Sequence, residues 1–266
     1  MTETVNVAAR PAATVQIVRD GPAGIEVLMI TRNVASEFAS GALVFPGGRV
    51  DAADIAAVTH HHTHELSGAD TAALALRVAG IRETYEEAHI LLARRPGANA
   101  LLSAVEVGEL EADLEGRLGR PAGFNDLTDS GKIELATDLL IPFAHWITPV
   151  GRPKRYDTHF FLIAAPADQV AAHDGHEAVD TLWIGPQDAI DGGDAGRFTV
   201  VFATRMNLIK LARSTTVVAA IARAQGEPVV TVLPVVTAGP NGRILRIPAQ
   251  AGYGITEVSA EGIVPA

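Results

Sequence analysis

The run ALVF at 42–45 stops abruptly at Pro46-Gly47-Gly48. A proline followed by two glycines ends a strand and lets the backbone turn where a side chain would not fit. Further on, Asp70 stands as a helix N-cap. Leu74, Val78, Ile81 and Tyr85 follow at helical spacing, with Ile90, Leu91 and Leu92 at the end. This spacing predicts one helix over 71–93, closed by Pro96-Gly97. A strand that breaks at a glycine turn and a long helix further on put both kinds of element in one chain.

The rest of the chain agrees with that class. ATVQIVR (13–19) and GIEVLMITR (24–32) flank the turn DGPAG and read as a hairpin. The segments 139–150, 157–166 and 180–186 read as strands. Residues 102–119, 131–138, 200–212 and 214–225 read as helices. EPVVTVLPVV (227–236) and GRILRIP (242–248) read as strands joined by AGPNG. Residues 50–70 show no clear period. Strands and helices mix without strict alternation, which favours an α+β sandwich over a doubly wound sheet.

Composition removes several function classes. The chain has 266 residues, 48% of them hydrophobic, and contains no cysteine. Disulfides, thiolate zinc sites and cysteine nucleophiles are excluded. The formal charge of −10 repels phosphate backbones and argues against a broad nucleic-acid surface. MTETVNVAARPAA lacks the apolar stretch of a secretory signal, and no apolar run approaches a membrane span. A cytoplasmic location, no membrane partner and an open choice on homodimerisation are the expectations.

The chemistry concentrates at RETYEE, residues 82–87. On a helix, Glu83 lies three positions before Glu86 and four before Glu87, so the carboxylates share a sector about one turn long. Val78, Ile81 and Tyr85 occupy the opposite sector and anchor the helix, which leaves the acids facing a groove or solvent. Like charges at these spacings repel by a few tenths of a kcal/mol per pair, with Arg82 alongside to offset them. Hard divalent cations take oxygen ligands, and Mg²⁺ keeps room for substrate phosphates. A metal site and a solvated helix face both account for the cluster taken alone.

Phe-Pro-Gly-Gly upstream of RETYEE resembles the signature of the Nudix hydrolases. Gly47 and Gly48 match the loop glycines, Arg82, Glu83, Glu86 and Glu87 match the helix core, and Ile90 matches the closing aliphatic position. Asp54 stands where the signature has its first glutamate, with Asp51 as a rival. Residues 55–81 stand where the signature has seven residues, an insertion of twenty, and His89 replaces a glycine. The resemblance implies a Nudix-type α/β/α sandwich with a mixed sheet and the loop-helix at about 46–93. It implies Mg²⁺ or Mn²⁺ held by Glu83, Glu86 and Glu87 with help from Gly47, and Arg82 orienting the glutamates. Glu83 is a further ligand or the base, and Glu177 is a rival base. Gly48 and Arg49 would touch substrate. The implied reaction is hydrolysis of a nucleoside diphosphate linked to another group.

MITRNVASEFASGALVFPGGRVD and FAHWITPVGRPKRYDTHFFL extend the likeness to the branch that cleaves coenzyme A and acyl-CoA, although Glu37 stands where that branch has an arginine. ADP-ribose, NADH and dinucleoside polyphosphates are the next substrates, and a nucleotide-sensing module without catalysis is the rival function. The implied organisation is a flexible tail at 1–12, a hydrolase domain at 13–225 with insertions at about 55–69 and 101–138, and a C-terminal β extension at 226–266.

Other residues invite a choice. Arg152, Lys154 and Arg155 read equally as a phosphate clamp or a charged turn. Asp157 reads as a partner of Arg155 or a turn cap. His60, His61, His62 and His64 read first as a polar insertion and second as zinc or nickel ligands. Trp146 and Trp183 read as core before they read as adenine-stacking rings.

Overall fold

The computed structural model describes residues 7–32, 41–59, 68–172, 178–240 and 242–260. Its central strand is β1 (Arg10–Gly21), which forms the hairpin with β2 (Gly24–Arg32) through Val18↔Val27 to Gly21↔Gly24. β3 (Leu43–Val44) and β4 (Gly47–Arg49) flank the Pro46 break. β4 returns antiparallel to the first part of β1, with Thr14 opposite Gly47 and Ala13 opposite Gly48. The glycines are required there: a Cβ on Gly47 would lie 2.7 Å from the Thr14 Cα.

Helix α1 (Ala52–Thr59) follows, in a segment whose sequence shows no period, and α2 (Thr71–Ala88) is the long helix. Asp70 caps α2, accepting from the Ala73 N–H at 2.7 Å. The helix ends five residues before 93, because His89 turns into the left-handed region (φ 53°) and Ile90–Leu92 run on as buried extended chain. β5 (Ala93–Arg94) comes next. α3 (Ala104–Leu118) begins with a Ser103/Glu106 capping box.

α4 (Phe124–Asp129), not 131–138, is the short third helix. Residues 131–138 instead hold a turn, β6 (Glu134–Leu135) and the start of a 3₁₀ turn at Thr137–Leu139. β7 (Ile141–Ile147), β8 (Tyr156–Ala164) and β9 (Ala178–Ile184) complete the main sheet with β10 (Thr231–Val232), in the order β10-β7-β8-β1-β2-β3, with β4 on β1 and β9 on β2. The β1–β8 and β10–β7 pairs are parallel and the others antiparallel, so the sheet is mixed.

Period-two alternation along β1 feeds two cores. Val15 and Ile17 face α2, α3 and α4. Val18 faces the other layer, which holds α5 (Pro186–Asp194), α6 (Phe202–Leu211) and α7 (Val217–Gly226). Gly80 sits where α2 presses on β1: a Cβ there would fall 2.9 Å from Val15 Cγ2. The segment 227–236 is not one strand, because Pro234 separates β10 from β11 (Val235–Gly239). β11 pairs with β12 (Gly242–Arg246), which pairs with β13 (Glu257–Ser259), forming a separate small sheet. Tyr253, between β12 and β13, accepts from Trp146 Nε1 at 2.8 Å and donates to Asn207 Oδ1 at 3.1 Å in the second core.

Candidate active site

The site is built around Arg82. Its side chain is 7% exposed. Nε and Nη2 grip both oxygens of Asp54 at 2.9 and 3.1 Å, and Asp54 is itself 1% exposed. Nη2 also donates to the Arg49 carbonyl at 2.9 Å. Nη1 meets Glu83 at 2.9 Å and Glu86 at 2.8 Å. Burial opposes the guanidinium charge. The Asp54 hydrogen bond and the nearby charges of Glu83, Asp54 and Glu86 outweigh it and hold the pKa above its ordinary value.

A single planar cation therefore ties the glycine strand β4, helix α1 and one turn of α2 together. Asp54, rather than Asp51, makes the close pair with Arg82. It also accepts the Asp51 N–H at 2.7 Å, while the Asp51 carboxylate is 58% exposed and stands 4.0 Å from Arg82. One methylene less than glutamate suffices because α1 brings the Asp54 backbone close to Arg82.

The three helix acids are not equivalent. Glu86 is half-exposed while paired with Arg82. Glu83 is largely buried, and its carboxylate fills the space a Gly48 Cβ would take. Glu87 is 2% exposed, which takes it out of the solvent that was one of the two settings the helical spacing left open. Its Oε2 accepts the Gly47 N–H at 2.8 Å and locks the loop onto the helix. Gly47, Gly48, Arg49, Asp54, Arg82, Glu83, Glu86 and Glu87 thus come together.

Two other predicted residues take different places. Arg155 is buried and donates to the carbonyls of Thr148 (3.0 Å) and Val7 (2.7 Å), bracing the β7–β8 connection and the N-terminal segment. Arg152 lies partly exposed at that turn. Glu177, Glu37 and His60 to His64 lie outside the described residues.

His89 shows how a left-handed helix end is held without glycine. Among the described residues it is the non-glycine with positive φ. Its N–H donates to Tyr85 O at 2.8 Å. Its ring lies 5.3 Å from that of Tyr85, and its Nε2 stands 3.5 Å from Glu111. Tyr85 donates to the same Glu111 oxygen at 2.7 Å. The Glu111 hydrogen bond raises the His89 pKa against the effect of burial. Burial works to raise the Glu111 pKa, but the bonds from His89 and Tyr85 bring it below the ordinary value. Glu111 comes from α3, inside the helical insertion.

One cluster escapes a reading of the sequence alone. Asp157 does not pair with Arg155; it contacts His145 Nε2, on the neighbouring strand. His159 Nε2 stands 3.9 Å from the same carboxylate oxygen, and the two imidazoles stack at 4.0 Å. The signal is present as two alternations, His145 in β7 and Asp157-x-His159 in β8. Pairing register, which spacing within one segment does not carry, brings them together.

Comparison with known proteins gives the family. The family model described as the NUDT19 Nudix domain matches residues 58–196, more than half of the chain. The chain belongs to this Nudix family. A Nudix hydrolase from Alicyclobacillus acidocaldarius shares the fold, with a TM-score of 0.68 at 27% identity over 81% of this chain and 96% of that one. The chicken (Gallus gallus) protein named acyl-coenzyme A diphosphatase NUDT19 is 29% identical over 64% of this chain and 57% of its own length. The human (Homo sapiens) protein of the same name is 27% identical over 68% and 59%. The chain thus spans less than two thirds of these curated relatives. Among the described residues, no helix is long and apolar enough to cross a membrane.

The Nudix acids fit a hard divalent cation. Their donors are all oxygen, as such an ion prefers, and Glu83, Glu86 and Glu87 lie together on α2 with the Gly47 loop held against them.

Proposed function

We propose that this Nudix chain hydrolyses the diphosphate bond of a nucleoside diphosphate linked to a second group, with coenzyme A or its acyl thioesters as the leading substrates. The observation that carries the reading is the Arg82 network, which joins the glycine loop to Glu83 and Glu86 through buried, charge-assisted hydrogen bonds. Such a network places groups in advance of substrate, which is what diphosphate chemistry asks of a protein. Glu86 and Glu87 would hold Mg²⁺ or Mn²⁺ with the Gly47 loop. The cation, when bound, supplies Lewis-acid stabilisation of the charge that builds on the diphosphate oxygens. Glu83, beside Gly48, would take the proton of the attacking water, and Gly48 and Arg49 would touch substrate. The coenzyme A assignment draws on the names of the NUDT19 relatives.

The rival, a sensing module without catalysis, rests on the long insertion and on the departures at Asp54 and His89. Asp54 keeps the full salt bridge to Arg82 and His89 is accommodated by Glu111, so neither departure argues for a dead site. The test is a product assay with Mg²⁺ or Mn²⁺ on coenzyme A, acetyl-CoA, ADP-ribose, NADH and dinucleoside polyphosphates. Glu83→Gln is expected to lower kcat about 10²-fold or more, and Glu86→Gln to raise the metal concentration needed for half-maximal rate. Full turnover in both variants would overturn the site, and binding without product on any substrate would favour the sensing module.

A further inference from the structure

We propose that His145, Asp157 and His159 form a second cation site, for a borderline transition ion of the zinc class, on the same sheet face as the Nudix loop. Register builds it. His145 on β7 lies opposite His159 on β8, and Asp157 precedes His159 by two residues, so all three side chains leave the sheet on one face. One ligand atom from each lies within 4.8 Å of the others. Among the described residues this is the group of three that meets that condition.

The donor set differs in kind from the Nudix acids. Two imidazole nitrogens and one carboxylate suit zinc, nickel or cobalt rather than Mg²⁺. Three protein ligands leave a fourth position open to water or substrate, as in solvent-reachable zinc sites. A tetrahedral ion with bonds of about 2.0–2.1 Å separates its ligands by about 3.3–3.4 Å. His159 Nε2 is 3.9 Å from Asp157 Oδ1, so about half an ångström of closure is needed there. The Asp157 carboxylate would turn from its direct contact with His145 to share the ion. The side chains of His145, Asp157 and His159 are 15%, 37% and 36% exposed, which leaves an ion a path in.

A supporting shell is present. His145 Nδ1 lies 2.8 Å from the Thr231 hydroxyl, brought by β10, whose Thr231 is the register partner of His145. A proton on Nδ1 donated to that hydroxyl leaves the Nε2 lone pair aimed at the Asp157 side, as ligation requires.

Position gives the site a use. Gly48, Ala13, His159 and His145 are neighbours in one row across β4, β1, β8 and β7. At about 4.8 Å per strand, His159 stands about 10 Å and His145 about 14 Å from Gly48 along the sheet. A cation there would add positive charge to the floor beside the acidic loop, within reach of the far end of an anionic substrate.

The experiment uses the full chain, stripped with chelator and titrated with Co²⁺. Four-coordinate Co²⁺ gives visible absorption bands that report the ligands directly, without an activity assay. The bands are expected in the unaltered protein, in Glu86→Gln, and in a variant with His60, His61, His62 and His64 all changed to Asn. They are expected to vanish in His159→Gln and in Asp157→Asn, and Thr231→Val is expected to weaken binding about 10-fold. Bands that survive His159→Gln, or that follow the loop histidines, overturn the site. Paramagnetic shifts of two imidazole signals by Co²⁺ in the unaltered protein test the same point without any variant: their absence means a hydrogen-bonded His–Asp pair and no metal.

Discussion

At the scale of single residues, Arg82 and Asp54 decide whether the Nudix acids are usable. Arg82 spends its donors on Asp54, Arg49, Glu83 and Glu86 at once. Asp54→Asn keeps the shape but removes the charge from a pair buried on both sides. Loss of a charge-assisted hydrogen bond of this kind costs about 2 kcal/mol. Reduced stability in denaturant melts and a fall in kcat larger than any change in KM are expected, because the variant loosens Glu83 and Glu86 rather than a substrate contact. Arg82→Lys is expected to do no better. An ammonium lacks the planar fork that meets both Asp54 oxygens.

At the scale of elements, the end of α2 depends on α3. Its own sequence places a histidine where the turn needs a left-handed residue, and Tyr85, His89 and Glu111 hold that turn jointly. The raised His89 pKa means that its pairing stabilises the fold fully below the ordinary histidine value of 6.5 and is lost as pH rises through the folded value. The lowered Glu111 pKa means that its share is present above 4.5 and is lost as pH falls through its folded value. The pair therefore contributes most between about pH 4.5 and 6.5, and its share fades as pH rises from there through the raised His89 pKa. Glu111→Gln is expected to bring the His89 pKa down towards 6.5, read from its ring protons by NMR titration, and to flatten this pH dependence. The element pattern itself was largely legible in the sequence, because Leu74, Val78, Ile81 and Tyr85 recur at helical spacing along α2 and Asp70 marks a true cap. What escaped was set by partners distant in sequence. The stop at His89 needs Glu111. The pairing of Thr231 and Val232 with β7 needs that strand's edge. The cluster at His145 needs the strand register, which no local window contains. Of the site, the loop glycines, Arg82 and the three acids were legible, while the burial of Glu87 and the bracing role of Arg155 came from tertiary contacts.

At the scale of the whole molecule, the C-terminal segment is joined to the second core through Tyr253. Its hydroxyl stands between Trp146 and Asn207, and burial pushes its pKa up to about 12. Tyr253→Phe leaves the Trp146 N–H without this acceptor in a dry setting, at a cost of about 1–3 kcal/mol. Scanning calorimetry is expected to show a Tm lowered by about 2–6 °C or more. The pKa of His89 and the kcat are expected to be unchanged, because Tyr253 packs in the core on the opposite side of the sheet from α2.

The antiparallel pairing of β4 with β1 has a consequence for the timing of turnover. Many enzymes close a glycine-rich loop over substrate and reopen it to let product go. Here the glycines are rungs of the sheet: Gly47 and Gly48 face Thr14 and Ala13, and Val15 donates to the Pro46 carbonyl at 2.9 Å. Swinging this loop outward would unzip the central strand. The floor of the cleft is thus a fixed surface, and amide exchange at Gly47 should be as slow as at the middle of β1. Any gate that sets the pace of product release has to be hung on another part of the chain.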